Sequence, residues 1–333
     1  EAPSRRGDTA MSVLGVDVGA GAIKFAVFAE SAQTPLDGGL QDPLVGDLQD
    51  PQRGHSGPLY RAEEKTARSY PELKAQLLGI VARLQRPHDI RAVGIGVPGF
   101  ISCREHIVEL SPNMLFLNGV ALEKDIADGC GLPVRLENDA NAAALGEYLG
   151  LDEPRPASFI HLTLGSGIGS GIILDGRGWQ GACGFAAELG HLLVNSRGRA
   201  CGCGNSGCAE TESSEAGIVK SYQEYAGSSY PLSSRDVFHL LQKGDESAQR
   251  AFQRAGGFLG ILFSQIVYAL NPECISIGGG VAAAGEALLG PAREELSRRV
   301  IAKAFACTRI QPARLGNAAG MAGAAALASG RLS

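Results

Sequence analysis

Three cysteines and a histidine carry the sharpest chemical signal in the chain. Cys201, Cys203 and Cys208 stand in the run CGCGNSGC, and His191 precedes the first of them by ten residues. Three thiolates and one imidazole form a closed tetrahedral set of the kind that holds structural zinc, and the interleaved glycines let the backbone wrap around an ion. The other five cysteines, Cys103, Cys130, Cys183, Cys274 and Cys307, are scattered and read as packed thiols.

A second group suits anions. GAGAIK (Gly19 to Lys24), GSGIGSG (Gly165 to Gly171) and GGG (Gly278 to Gly280) each follow a β-rich run. Without a Cβ in the way, successive backbone N–H groups can close on a phosphate. Any one of these is a tight turn when read alone, whereas three together point to a nucleotide. The GxxxxGK[ST] pattern is missing, and GSGIGSG runs into a second strand rather than a helix, which excludes the P-loop and the Rossmann fingerprint. Asp17, two residues before the first loop, suits Mg²⁺ shared with phosphate oxygens, against the plainer reading of a solvated turn aspartate.

Glu137, Asn138, Asp139 and Asn141 form a third group, where a strand gives way to a helix. Helix capping accounts for one of them. A carboxylate at such a strand end, facing a phosphate site, can serve as general base toward a hydroxyl.

The elements that must position these groups are legible in the hydrophobic pattern. Residues 12–29 read as two strands joined by the first glycine turn, and His161 to Leu174 repeats that design. Leu73, Leu77, Ile80, Val81 and Leu84 have helical spacing within Pro71 to Leu84. Arg91 to Val97 and Pro133 to Asn138 are strands, and Ala140 to Leu149 is an Ala-rich helix. Ser247 to Leu270 carries Phe252, Leu259, Phe263, Ile266 and Leu270 on one helical face, and a strand at Glu273 to Ile277 enters the third glycine run. Ala318 to Ala328 is a helix of small residues suited to close packing, and Ser31 to Pro58 is a surface excursion. The mixture is α/β, in two related halves.

Composition agrees. At 333 residues the chain is long enough for two domains, and its 46 glycines are twice the roughly 23 that average usage of about 7% would supply. A 44% hydrophobic content excludes wholesale disorder, and the apolar run Phe258 to Leu270 is too short for a membrane span. A net charge of -5 argues against nucleic acid as a partner. Residues 1–10 are polar, lack a signal-peptide core and read as a tail, so a cytoplasmic location is expected.

In order along the chain, DVGAGAIK, GVPGF, SPN, LENDANAAALGE, LTLGSGIGSGI, AAELGH, CGCGNSGC, NPECISIGGGV and LGNAAGMAGAAAL resemble the ROK family of sugar kinases and repressors, from about Val13 to Leu327. The resemblance implies a two-domain actin-like ATPase (ribonuclease H-like) fold with a cleft between the domains. The smaller domain is expected over 11–138 plus 316–333, and the larger, with the zinc knuckle, over 139–315. The resemblance further implies Asp139 as catalytic base and a sugar site of Gly99, Asn113, Asn138, Asp139, Glu188, His191 and Glu210. ATP with Mg²⁺ would then lie on Asp17, Gly19, Lys24, Gly165, Ser166, Gly167, Gly278, Gly279 and Gly280. His191 would serve twice, with one ring nitrogen on zinc and the other edge toward sugar. The family's first loop reads DxGGT or DxGGS, whereas Ala20 and Gly21 stand here and remove a hydroxyl.

The activity so implied is phosphorylation of a hexose, with glucose to glucose 6-phosphate first, N-acetylmannosamine next, and fructose or allose as further options. A sugar-responsive repressor would need a helix-turn-helix ahead of the first strand, for which the dozen or so residues before Val13 are too few. A sugar binder without activity is the third reading, and a homodimer is the family's expectation.

Overall fold

The structure, a computed structural model, describes residues 11–29 and 57–330. The tail at 1–10 and nearly all of the excursion at 31–58 lie outside the described residues. The chain divides into two compact units, and Arg177–Ala186 and Asn317–Ser333 return to the first of them after the chain has left it at Arg155.

In the first unit, β1 (Ser12–Val18) and β2 (Ala22–Ala29) form the expected hairpin, and β3 (Tyr60–Lys65) adds an antiparallel edge. Helix α1 (Tyr70–Gln85) leads to β4 (Ile90–Val97), and the short β5 (Phe100–Ile101) and β6 (Val108–Leu110) pair with each other. Then come α2 (Leu122–Cys130), β7 (Val134–Asn138) and α3 (Asp139–Leu149). The sheet order is β3-β2-β1-β4-β7, with β4 parallel to both β1 and β7.

Period-two alternation along β1 sends Leu14, Val16 and Val18 into a core shared with the predicted apolar face of α1 and with Leu122 and Ile126 of α2. Each such fully buried aliphatic side chain contributes about 1.5–3 kcal/mol. The other face carries Val13, Gly15 and Asp17, and the C-terminal helix, Ala319–Ala328, rests there. It sits so close that a Cβ on Gly94 would come 1.7 Å from the Ala324 carbonyl oxygen.

The same helix meets α3 as tightly, since a Cβ on Gly323 would lie 1.7 Å from the Ala142 carbonyl oxygen. This contact moves the domain boundary. Expected after Asn138, it falls after Arg155, because α3 packs on the C-terminal helix and stays with the first sheet.

The second unit repeats the plan. β8 (Ser158–Leu164) and β9 (Ile168–Leu174) form a hairpin around the second glycine turn, and the two-residue β10 (Arg177–Gly178) opens the segment that returns to the first unit. Helices α4 (Ala209–Ser213), α5 (Glu215–Ala226), α6 (Ser234–Gln242) and α7 (Glu246–Leu270) precede β11 (Cys274–Gly278). After it come α8 (Glu286–Arg299), α9 (Ala302–Cys307) and β12 (Arg309–Pro312). β11 is parallel to β8 and β12, giving the order β9-β8-β11-β12.

On α7 the predicted face buries Phe252, Leu259, Phe263 and Ile266, but Leu270 is exposed because the helix ends there, at Asn271 with φ 42°. Two of the scattered cysteines also depart from expectation. Cys183 and Cys307 are exposed, while Cys274 is buried in β11.

Candidate functional site

The four polar residues at the β7–α3 junction separate into distinct jobs. Asn138 caps α3, its side-chain oxygen accepting from the N–H groups of Ala140 at 2.9 Å and Asn141 at 3.0 Å. Its Nδ2 donates to the Gly99 carbonyl at 2.9 Å, which binds that loop to the helix start. Buried Glu137 accepts from the Asn138 N–H at 2.9 Å, from Asn141 Nδ2 at 3.1 Å and from Gln180 Nε2. Asn141 therefore supports Glu137. Burial holds the Glu137 carboxyl above the usual range, against these hydrogen bonds.

Asp139 is the fourth of the group. It opens α3, one oxygen accepting from the Ala140 N–H at 2.9 Å, and burial lifts its carboxyl above the usual range. Asp17, at the end of β1, is pushed up to about 6 by burial and by the negative charge of Asp139, with Lys24 opposing. Lys24 is the cross-strand partner of Asp17 in the β1–β2 register. Close by, the turn from Gly19 to Gly21 closes with the Gly19 N–H donating to the Ala22 carbonyl at 2.9 Å.

Asp17 also lies beside the first turn of the C-terminal helix, where a Cβ on Gly320 would be 2.8 Å from its Cγ. Asn113 stands in the exposed turn after β6, which the Ser111 hydroxyl ties to the Pro98 carbonyl at 2.7 Å, next to Gly99. The first unit thus gathers Asp17, Gly19, Lys24, Gly99, Asn138 and Asp139 at the ends of β1, β4 and β7.

The second unit holds the other loops and the knuckle. The turn at Gly165–Gly167 closes through the Gly165 N–H on the Gly167 carbonyl at 2.9 Å, with the Ser166 side of the turn exposed. Gly279 has φ 85°, and a Cβ there would lie 2.2 Å from the Leu164 carbonyl oxygen, so the run Gly278–Gly280 abuts the start of the second loop. Under Gly278 sits wholly buried His161, bridging Ser276 and Thr163 at 3.4 and 3.1 Å and held down to about 4 by burial. Glu210, at the start of α4, accepts from the Ile168 N–H at 3.0 Å, so it braces the second glycine loop as well as adjoining the knuckle.

The ligand atoms of His191, Cys201, Cys203 and Cys208 lie within 4.8 Å of one another. Cys201 Sγ is 3.5 Å from His191 Nδ1, and Cys203 Sγ is 3.6 Å from Cys208 Sγ. A tetrahedron with zinc–sulfur near 2.3 Å and zinc–nitrogen near 2.0 Å has edges of roughly 3.5–3.8 Å, so the set fits zinc. His191 Nε2 lies on the other side of the ring, 3.9 Å from Glu188. Burial raises Cys208 to about 12 and lifts Cys201, while the Asn205 backbone N–H lowers Cys203; a coordinated cation would deprotonate all three.

The pattern in the chain gave no sign of what buttresses this knuckle. Wholly buried Glu212 accepts from Asn195 at 2.9 Å, Arg199 at 3.2 Å and Arg254 at 3.1 Å. Its only signal was its place two residues after Glu210, on the same short helix.

The model of the ROK family matches residues 55–331. The chain is similar to the glucokinase of Thermotoga maritima, 34% identical over 253 residues, covering 72% of this chain and 80% of that protein. It is also similar to a xylose repressor of Caldicellulosiruptor bescii, 32% identical over 255 residues, which are 73% of this chain and 63% of the repressor. Among solved structures it superposes on a ROK family glucokinase from Streptomyces griseus in complex with glucose and AMPPNP, with TM-score 0.74 and 28% identity, covering 95% and 99% of the two chains.

Proposed function

Because the chain belongs to the ROK family, we propose that it is an ATP-dependent sugar kinase with glucose as its acceptor, converted to glucose 6-phosphate. Its fold, with two units built on sheets of one plan, is that of the actin-like ATPases. Asp139 carries the reading: a carboxylate at the start of a helix, its proton affinity raised by burial, close enough to Asp17 for its negative charge to raise the Asp17 carboxyl.

In this reading Asp139 orients the attacking hydroxyl and takes its proton as the new oxygen–phosphorus bond forms. Asn138 and Gly99 hold neighbouring hydroxyls, and their mutual hydrogen bond sets the spacing between them. Asn113, Glu188, His191 and Glu210 complete the sugar contacts. The turns at Gly19, Gly165–Gly167 and Gly278–Gly280 offer backbone N–H groups to phosphates, with Lys24 adding positive charge. Asp17 is the residue that would hold Mg²⁺, which when bound offsets the charge of the phosphates. Zinc on the knuckle would supply folding energy and leave His191 Nε2 free to face the sugar, because Nδ1 faces the sulfurs.

Glucose is placed first on the named glucokinases among the relatives. A coupled assay over glucose, mannose, N-acetylmannosamine, N-acetylglucosamine, fructose and allose tests it, with the highest kcat/KM expected on glucose; preference for N-acetylmannosamine would replace the substrate and keep the kinase. The similarity to xylose repressors favours a second reading, a sugar-responsive regulator. It predicts no turnover on any of these sugars, together with salt-sensitive binding to DNA.

A further inference from the structure

Two cysteines outside the Cys/His knuckle, Cys103 and Cys183, are joined by a backbone hydrogen bond across 80 positions of the chain. Cys103 follows β5, and Cys183 lies in the segment Arg177–Ala186 of the same unit. The Cys103 N–H donates to the Cys183 carbonyl at 3.3 Å, and Cys103 Sγ lies 3.9 Å from the carbonyl oxygen of Ala182. Both are turn residues, and this backbone bond together with the contact of Cys103 Sγ on the peptide preceding Cys183 keeps the two adjacent, as a disulfide with its Cα atoms roughly 4.4–6.8 Å apart requires. The backbones are pressed together at this point, since a Cβ on Gly184 would lie 3.0 Å from the Cys103 nitrogen. Alongside, the rings of Phe100 and Phe185 meet edge to face with centroids 5.6 Å apart. Cys183 is exposed and Cys103 half-buried, so Cys183 is the more open of the two to a reagent.

We propose that Cys103 and Cys183 form a dithiol–disulfide site, oxidised by low-molecular-weight disulfides, that clamps the Arg177–Ala186 segment to the strand leading out of Gly99. The deprotonated sulfur of Cys183 attacks the S–S bond of the small disulfide, forming a mixed disulfide and releasing one small thiolate. The deprotonated sulfur of Cys103 then attacks Cys183 Sγ, forming the protein disulfide and expelling the second small thiol. Two protein thiols are oxidised and one small disulfide is reduced to two thiols, so atoms and electrons balance. Excess small dithiol reverses both steps. The clamp acts on the site from two sides, because Gly99 accepts from Asn138 while Gln180 of the clamped segment donates to Glu137.

The zinc-loaded full-length protein is treated with oxidised glutathione, remaining thiols are alkylated, and peptides are mapped by mass spectrometry without reduction. A Cys103–Cys183 linked peptide is expected, removed by dithiothreitol and absent from Cys103→Ser and Cys183→Ser, with zinc content unchanged. Glutathione on both cysteines without a link, or a link from either one to the knuckle, overturns the proposal. Melting curves of the serine variants matching that of the untreated protein show that a missing link is not a failure to fold.

The coupling to the sugar site rests on the kinase reading. It is expected to change the KM for the sugar by at least about threefold with kcat retained. A linked protein with unchanged KM overturns the coupling, and an absence of activity before oxidation overturns the kinase reading, while the peptide map depends on neither.

Discussion

Asp139 stands apart from its neighbours because each of them is already committed. Asn138 is a cap, and Glu137 is held by Asn141, Gln180 and a backbone N–H. Replacement by Asn keeps the size and the start of α3 and removes the proposed base, so Asp139→Asn should lower kcat about 10²–10⁴-fold while sugar binding, followed by calorimetry, persists. Full turnover in that variant would remove Asp139 from the chemistry. Because burial raises the Asp139 carboxyl, kcat should also fall as pH drops through a range above that of ordinary aspartates. The sequence showed four polar residues where capping seemed to explain one. The structure lets capping and side-chain support explain three, a sorting that depends on hydrogen bonds to Gly99 and Gln180, far away in the chain, which spacing cannot reveal.

Elements with strong periodicity or turn chemistry were legible, and those with little of either were not. The apolar stripe of α1 and the two glycine hairpins stand where their patterns put them. β3, with the sequence YRAEEK, is a polar edge strand stabilised by pairing with β2, and α2 buries only Leu122 and Ile126, too few for a pattern. The cluster of His191, Cys201, Cys203 and Cys208 was legible because residue type and spacing are local, whereas the Glu212–Arg199–Arg254 support beneath it is assembled by the fold. Metal analysis should find about one zinc per chain, and strong chelation should lower the melting midpoint by roughly 10 °C, at about 2–4 °C per kcal/mol. A zinc-free protein with unchanged midpoint would refute a structural role.

Gly94 tests the other tight element. Alanine there would place a Cβ 1.7 Å from the Ala324 carbonyl oxygen, so the C-terminal helix must lift from the sheet. A loss of about 3 kcal/mol or more in urea titration is expected, at the upper end of overpacking effects. A loss below about 0.5 kcal/mol would mean that the helix is not seated as described.

Across the whole molecule, the first unit concentrates one buried and two half-buried carboxylates at one end of its sheet, and this should appear in its pH stability. Asp17, Glu137 and Asp139 all have raised proton affinities, with burial as the leading cause. The native state therefore holds their protons more tightly than the unfolded chain, and stability falls as pH rises between the unfolded and folded values. For Asp17 that window runs from 3.8 to about 6. Below it, the group is protonated in both states and costs nothing; above it the full cost is present, on the order of 1–3 kcal/mol. Lys24, its cross-strand partner, offsets part of this. In magnesium-free buffer, Asp17→Asn should thus be more stable than the parent at pH 7.5 by an amount of that order, and the gap should close near pH 4. Trp179, the single tryptophan, lies in the first unit, so its fluorescence in urea follows that unit. An Asp17→Asn protein no more stable than its parent at pH 7.5 would mean that Lys24 compensates fully. A gain in stability accompanied by loss of turnover would place Asp17 among the residues kept for function at the expense of the fold.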